Sequence, residues 1–235
     1  MIELEHVSRY YERPEGGDSR QVLKEISLTV GPGDSLAIIG PSGSGKSTLL
    51  NMIGGLDRPS GGKVLFEGKD IWQMDEKQLA RFRNRHIGFV FQMHHLLPQL
   101  NLLENVLLPL IPLKDKAMMV SGRNRALELI EKVGLKDRML QRPGQMSVGE
   151  CQRAAVVRAL INEPDFILAD EPTGSLDQQS AETLGELMAG LPESRKIGVV
   201  VVTHSEKLAD KLNTIMRLEN GKLQSYDKTK KIWQA

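Results

Sequence analysis

Cysteine is nearly absent from this 235-residue chain: Cys151 stands alone. An internal disulfide framework is therefore excluded, and a reducing compartment fits. Aromatic residues are scarce at 4%, which leaves aliphatic side chains to build the core. An excess of either charge is missing as well. Lys and Arg total 31 against 30 Asp and Glu, a formal net charge of +1. That balance speaks against a nucleic-acid binder that relies on a broad basic surface. Long hydrophobic runs are also lacking: Val199–Val202 is short, and Val106–Leu113 is broken by Pro109 and Pro112. His86–Leu103 has no acid or base except histidine, yet its three His, two Gln, Asn and Pro keep it from being the span of ~18 apolar residues a bilayer demands. MIELEHVS opens on acidic residues without a basic or apolar leader region, so no signal peptide is expected.

What is present reads as an α/β chain. In the first third, Val22, Ile26, Leu28 and Val30 share one parity with Lys24, which predicts a half-buried strand closed by Gly31-Pro-Gly33. Ahead of it, Arg13 to Asp18 forms a polar loop tip without an apolar anchor. Ser35–Ile39 is continuously apolar and runs into a Gly-rich turn, the pattern of a central strand in a parallel sheet. Helices are predicted over Asp75–Arg85 and Ser121–Val133, the second with an apolar stripe of Ala126, Leu127, Ile130 and Val133 before Gly134. Between them lies the Leu-rich segment Leu96–Leu113. This middle portion reads as a helical insertion between two parts of an α/β core. The last third alternates a helix from Ser147, a strand Phe166–Ala169, a helix from Asp177 and a strand Ile197–Val202. It closes on a hairpin at Asn220-Gly221.

Gly40, Pro41, Ser42, Gly43, Ser44, Gly45, Lys46, Ser47 and Thr48 spell G-x-x-x-x-G-K-[ST] followed by Thr. Glycines there let successive backbone N–H groups face phosphate oxygens, Lys46 reaches the β/γ-phosphates, and Ser47 can ligate Mg²⁺. Four fixed positions match by accident in roughly one such chain in a hundred, and the strand before and helix after the motif lower that further. A second signal is the strand ending in Asp170-Glu171. Asp170 is expected at the C-terminal sheet edge, able to bind Mg²⁺ through water, with Glu171 placed to polarise an attacking water.

With these residues in place the chain resembles the ATP-binding subunits of ABC transporters over essentially its full length. The resemblance implies a P-loop NTPase (RecA-like) core with an N-terminal antiparallel β subdomain. It also implies one ABC ATP-binding domain over 1–235, with a helical subdomain near 93–150. Tyr11 lies where the family stacks adenine, with Tyr10 the neighbouring candidate, and Gln92 resembles the glutamine that touches Mg²⁺ and the attacking water. Met146 to Arg153 occupies the signature position, where Ser147, Gly149 and Glu150 would meet the ATP of a partner subunit. Asp177 falls in the D-loop, and His204 matches the switch histidine that holds the γ-phosphate. Catalysis would rest on Glu171, His204, Lys46 and Gln92, and Mg²⁺ on Ser47, Gln92 and Asp170. The signature departs from the usual pattern: Val148 replaces a glycine and Cys151 stands where Gln is common.

Other readings compete at several of these positions. Ser147-x-x-Glu150 is also a capping box for the helix that follows, and Cys151 fits packing better than nucleophilic chemistry. His94-His95 lacks the acid or Cys neighbours of a metal site, and Lys228–Lys231 reads as a solvated tail with at most a weak pull toward anionic lipid. Phe91–Pro98 and Leu103–Pro109 are similar to the lipoprotein-releasing and macrolide-export group. In that group the Leu-rich segment, besides packing the helical insertion, forms part of a groove for a permease. The resemblance thus implies a peripheral subunit on the cytoplasmic side of the inner membrane, working with ATP, Mg²⁺, a second copy of itself and a membrane permease. It implies no nucleic acid. The alternatives are a soluble ABC-type ATPase acting on nucleic acid or ribosomes, and a non-hydrolysing nucleotide-dependent module. The latter is disfavoured by the presence of Lys46, Ser47, Asp170, Glu171 and His204 together.

Overall fold

A computed structural model describes residues 1–11, 19–113 and 116–226; the polar tip at Arg13–Asp18 and the basic tail at Lys228–Lys231 lie outside them. The chain opens with β1 (Ile2–Tyr11) and β2 (Arg20–Val30), followed by β3 (Ser35–Ile39), α1 (Lys46–Ile53), β4 (Gly61–Phe66) and β5 (Lys69–Asp70). Next come α2 (Glu76–His86), β6 (Ile87–Val90), α3 (Leu102–Leu107), α4 (Lys116–Lys132) and α5 (Val148–Leu160). The rest is β7 (Phe166–Asp170), α6 (Gln178–Ala189), α7 (Leu191–Arg195), β8 (Gly198–Val202), α8 (Glu206–Asp210), β9 (Thr214–Glu219) and β10 (Lys222–Ser225).

Two sheets result. An antiparallel sheet runs β2-β1-β4-β5, and a larger one runs β10-β9-β3-β8-β7-β6, parallel except for the β9–β10 hairpin. The bond from Lys24 N–H to Gly221 O (2.8 Å) ties the two sheets together. β3 and β8 are buried along their whole length, as sequences that are apolar apart from Ser35 demand, and the Ser35 hydroxyl accepts from Asn213 N–H at 2.9 Å. Helices α3, α4 and α5 all fall between β6 and β7 in the chain, where the insertion is expected.

The expected period-2 pattern of β2 breaks in the middle. Leu23 and Ile26 are both buried although their parity differs. The pairing register slips between Leu4 and Val7, between Val7 and Arg9 and again between Arg9 and Tyr10, the first slip adding a residue to β1 and the second one to β2. His6 and Glu25, both at φ +49°, are the extra residues, and such bulges return the apolar side chains to the core after each slip. A second correction concerns α4. It starts five residues before Ser121, and its buried face carries Leu129 rather than Leu127, which is exposed. Gly122 lies within this helix because a Cβ there would come 2.4 Å from Leu110 Cδ1, so its bare face admits the Leu-rich segment.

Of the nine leucines between Leu96 and Leu113, Leu96, Leu102, Leu103 and Leu110 are buried together with Val106, while Leu97 and Ile111 of that segment and Met93 just before it are exposed. Among them sits a fully buried polar residue, Asn105. Its Oδ1 accepts from Leu97 N–H (2.7 Å), while Nδ2 is within bonding reach of the carbonyls of Leu97, Leu100 and Asn101 at 3.0–3.1 Å. Asn105→Leu strips those partners from buried backbone groups, so a destabilisation of about 2–4 kcal/mol is expected in urea unfolding.

Candidate active site

Three adjacent strands of the parallel sheet, β3, β8 and β7, end side by side. The chain order therefore brings the Gly-rich loop after β3, Thr203-His204 after β8 and Asp170-Glu171 after β7 to one sheet edge. Asp170 pairs in register with Val202. The resulting cleft of about 750 Å³ is lined by Tyr11, Ser42, Gly43, Gly45, Lys46, Ser47, Thr48, Gln92, Asp170, Glu171 and His204, together with Arg20 and Val22.

The loop itself is shaped by Gly43 and Gly45, at φ +73° and +101°, values that a side chain would strain. Gly45 caps α1 without a side chain, and no acid stands in the helix's first turn, so its leading N–H groups and positive end are left for an anion. Lys46 is largely buried, and its Nζ donates to the carbonyls of Gly40 (2.9 Å) and Pro41 (3.1 Å). With three donors on an ammonium, one remains for a ligand. Ser44 Oγ is buried without a hydrogen-bond partner among the described residues, an orphaned polar atom inside the phosphate-loop turn.

Burial pushes the Asp170 carboxyl above the ordinary carboxylate value. The Ser47 hydroxyl bonded to it pulls the other way, Glu171 adds to the rise, and Lys46 opposes it. Such a group gains from a nearby cation. Glu171 turns out of β7 at φ +44°, its N–H bonded to Val202 O at 2.9 Å. Its Oε2 accepts from Thr203 Oγ1 (2.9 Å) and His204 N–H (3.1 Å), and Oε1 lies 2.8 Å from His204 Nδ1. The carboxylate is thus aimed by β8's end while the imidazole remains 68% exposed, free to meet a ligand. Gln92 Nε2 packs near Gly174 in the turn after Glu171, 3.1 Å from where a Cβ would stand.

At the mouth, Tyr11 donates its hydroxyl to Asp57 Oδ2 (2.9 Å), and the Arg9 guanidinium lies 4.6 Å from the ring centroid while pairing with Asp57 at 2.8 Å. The ring is held as a platform. Tyr10 is engaged with Gln21 instead and does not line the cleft. Gly40 and Pro41 contribute through carbonyls.

Ser147, Gly149, Glu150 and Asp177 do not line this cleft. Ser147 caps α5 reciprocally: its Oγ accepts from Glu150 N–H (3.1 Å) and its N–H donates to Glu150 Oε2 (2.7 Å). Arg138 Nε also donates to Glu150 Oε1 (3.0 Å), so hydrogen bonds within the subunit engage both oxygens of that carboxylate. Cys151 is buried, with burial raising its thiol pKa and Sγ 3.6 Å from Pro143 O. His94 accepts Leu96 N–H on Nδ1 (3.1 Å), and burial, then Arg158, lowers its pKa.

Sequence reasoning missed Arg20, Val22 and Thr203. Arg20 pairs with Tyr11 across the hairpin, so the strand register would have located it. Thr203 follows an all-apolar strand, and its complete burial marks a polar group with a fixed duty.

The ABC transporter family model matches residues 23–174. The lipoprotein-releasing system ATP-binding protein LolD of Coxiella burnetii is 46% identical over 96% of this chain and 95% of its own. An uncharacterized ABC transporter ATP-binding protein of Thermotoga maritima is also 46% identical, over 97% and 95% respectively. Among solved structures, the dimeric ATP-binding cassette MJ0796 bound to ADP and Pi superimposes with a TM-score of 0.84 at 38% identity, covering 96% of this chain and 98% of that one. A phosphate loop and carboxylate pair at one sheet edge, with full-length relatives of this kind, leave one assignment: the chain belongs to the ABC transporter family, as an ATP-hydrolysing subunit.

Proposed function

We propose that this subunit powers lipoprotein release, or a closely related export step, through a separate integral-membrane permease on the cytoplasmic side of an inner membrane. The observation that carries the reading is the full-length likeness to lipoprotein-releasing ATP-binding proteins. It is supported by the exposed Met93, Leu97 and Ile111 on the helical segment 93–150, where a permease helix would dock. Among the described residues, no helix is long and apolar enough to cross a membrane.

ATP would lie along the cleft with its adenine on Tyr11 and its phosphates on the loop amides and Lys46. Ser47, Gln92 and, through water, Asp170 would hold Mg²⁺, which when bound neutralises phosphate charge. Glu171 takes a proton from the attacking water, and His204 holds the γ-phosphate. Phosphoryl transfer needs positioning and charge stabilisation rather than a covalent intermediate. A second copy would complete the site, with Ser147 and Gly149 reaching the partner's nucleotide and Asp177 at the subunit boundary.

Val148, 53% exposed at the start of α5, places a β-branched side chain on that approach. Val148→Gly is expected to raise ATP-driven dimer formation and kcat about fivefold, ~1 kcal/mol; equal or faster turnover by the native chain would overturn this. The function as a whole is tested by purifying the native chain from membranes. A co-purifying permease that stimulates its ATPase supports the reading, whereas a membrane-free chain whose ATPase responds to nucleic acid or ribosomes favours the soluble class.

A further inference from the structure

Gly149 and Ser180 meet where α5 and α6 begin. A Cβ on Gly149 would fall 2.6 Å from Ser180 Oγ and 2.9 Å from Ser180 Cβ. The second distance decides the matter, because a Cβ cannot rotate out of the way as a side-chain tip can. The bare Cα of Gly149 is therefore the seat on which the first turn of α6 rests. Ser180 is also the residue through which Asp177 caps this turn. Its N–H donates to Asp177 Oδ1 (2.9 Å), and its hydroxyl bonds the same carboxylate, holding Asp177 below the usual carboxylate range. One small residue thus touches the signature segment through packing and the D-loop through hydrogen bonds.

We propose that Ser180 is a positioning residue for ATP hydrolysis, locking Asp177 to the signature segment of the same subunit so that the two move as one body. The proposal rests on the roles given above to the signature segment and Asp177. It assigns Gly149 a second reason to be glycine, inside its own subunit, beyond any approach to the partner's phosphate.

The two reasons separate in a double-mutant cycle on the full chain. Gly149→Ala should lower kcat about tenfold or more, with KM for ATP little changed because the Lys46 loop is untouched. Ser180→Gly removes both atoms that the new methyl would strike. Alone it should cost kcat about two- to fivefold through the lost hydroxyl bond, and adding Gly149→Ala to it should cost less than about a further twofold. If Gly149→Ala is as damaging in the Ser180→Gly background as in the native one, the glycine serves the partner's nucleotide and the proposal falls. The same cycle read by thermal unfolding needs no turnover: Gly149→Ala should lower Tm by a few degrees in the native background and by about a degree or less beside Ser180→Gly. Absence of this rescue overturns the packing half of the proposal. A native chain that fails to hydrolyse ATP instead overturns the function proposed above, a separate result.

Discussion

Glu171→Gln is expected to bind ATP about as tightly as the native chain while turnover falls roughly 10²- to 10⁴-fold, the range for loss of a positioned general base. The structure explains why binding survives. Glu171 bonds to Thr203 and His204 and has no contact with the lysine that grips the loop carbonyls. A glutamine carbonyl can still accept from Thr203 and from His204 N–H, so the turn after β7 keeps its shape. What vanishes is the basic oxygen. One of the causes that raise the Asp170 pKa also vanishes, which leaves Asp170 more readily ionised and better suited to a cation. Equilibrium binding of ATP and single-turnover hydrolysis read the two effects separately. Full hydrolysis in the variant would remove Glu171 from the role and turn attention to His204.

The parts of this site that were legible from sequence are those in which function and local structure make the same demand. Ser35–Ile39 must be apolar to sit between β8 and β9, and the glycines after it must turn tightly, so strand and phosphate loop announce each other. Ser147 and Glu150 cap α5 as their spacing requires, and Asp170-Glu171 end a buried strand. Features that depend on pairing partners distant in the chain were hidden. The bulges at His6 and Glu25 use a left-handed backbone at residues that do not advertise it. Leu127 and Leu129 both suit a helix, and only the neighbours of α4 decide which is buried. Asn105 reads as one polar residue in a leucine run until the segment 97–101 folds back onto its amide. Arg20 enters the cleft through strand register alone, and Ser180 matters because α6 crosses α5 at Gly149.

Lys46→Ala should weaken ATP binding about 10- to 150-fold, corresponding to ~1.5–3 kcal/mol for a hydrogen bond to a charged group, and should remove measurable turnover at ordinary ATP concentrations. Two losses combine. The ammonium that would meet the phosphates is gone, and so are the bonds to Gly40 O and Pro41 O that hold the loop in its receptive shape. Lys46→Arg separates them. It keeps the charge, but a planar guanidinium needs more room than an ammonium and offers its donors in a fixed fork. A Cβ on Gly40 would lie 2.2 Å from Leu218 O, so the loop is pressed against β9 at Gly40 and cannot shift that way to re-form both carbonyl bonds around the larger head. The arginine variant is therefore expected to fall near the alanine variant in ATP affinity, measured by equilibrium binding. Near-native binding by Lys46→Arg would mean that charge alone suffices and that the two carbonyl bonds do not shape the site.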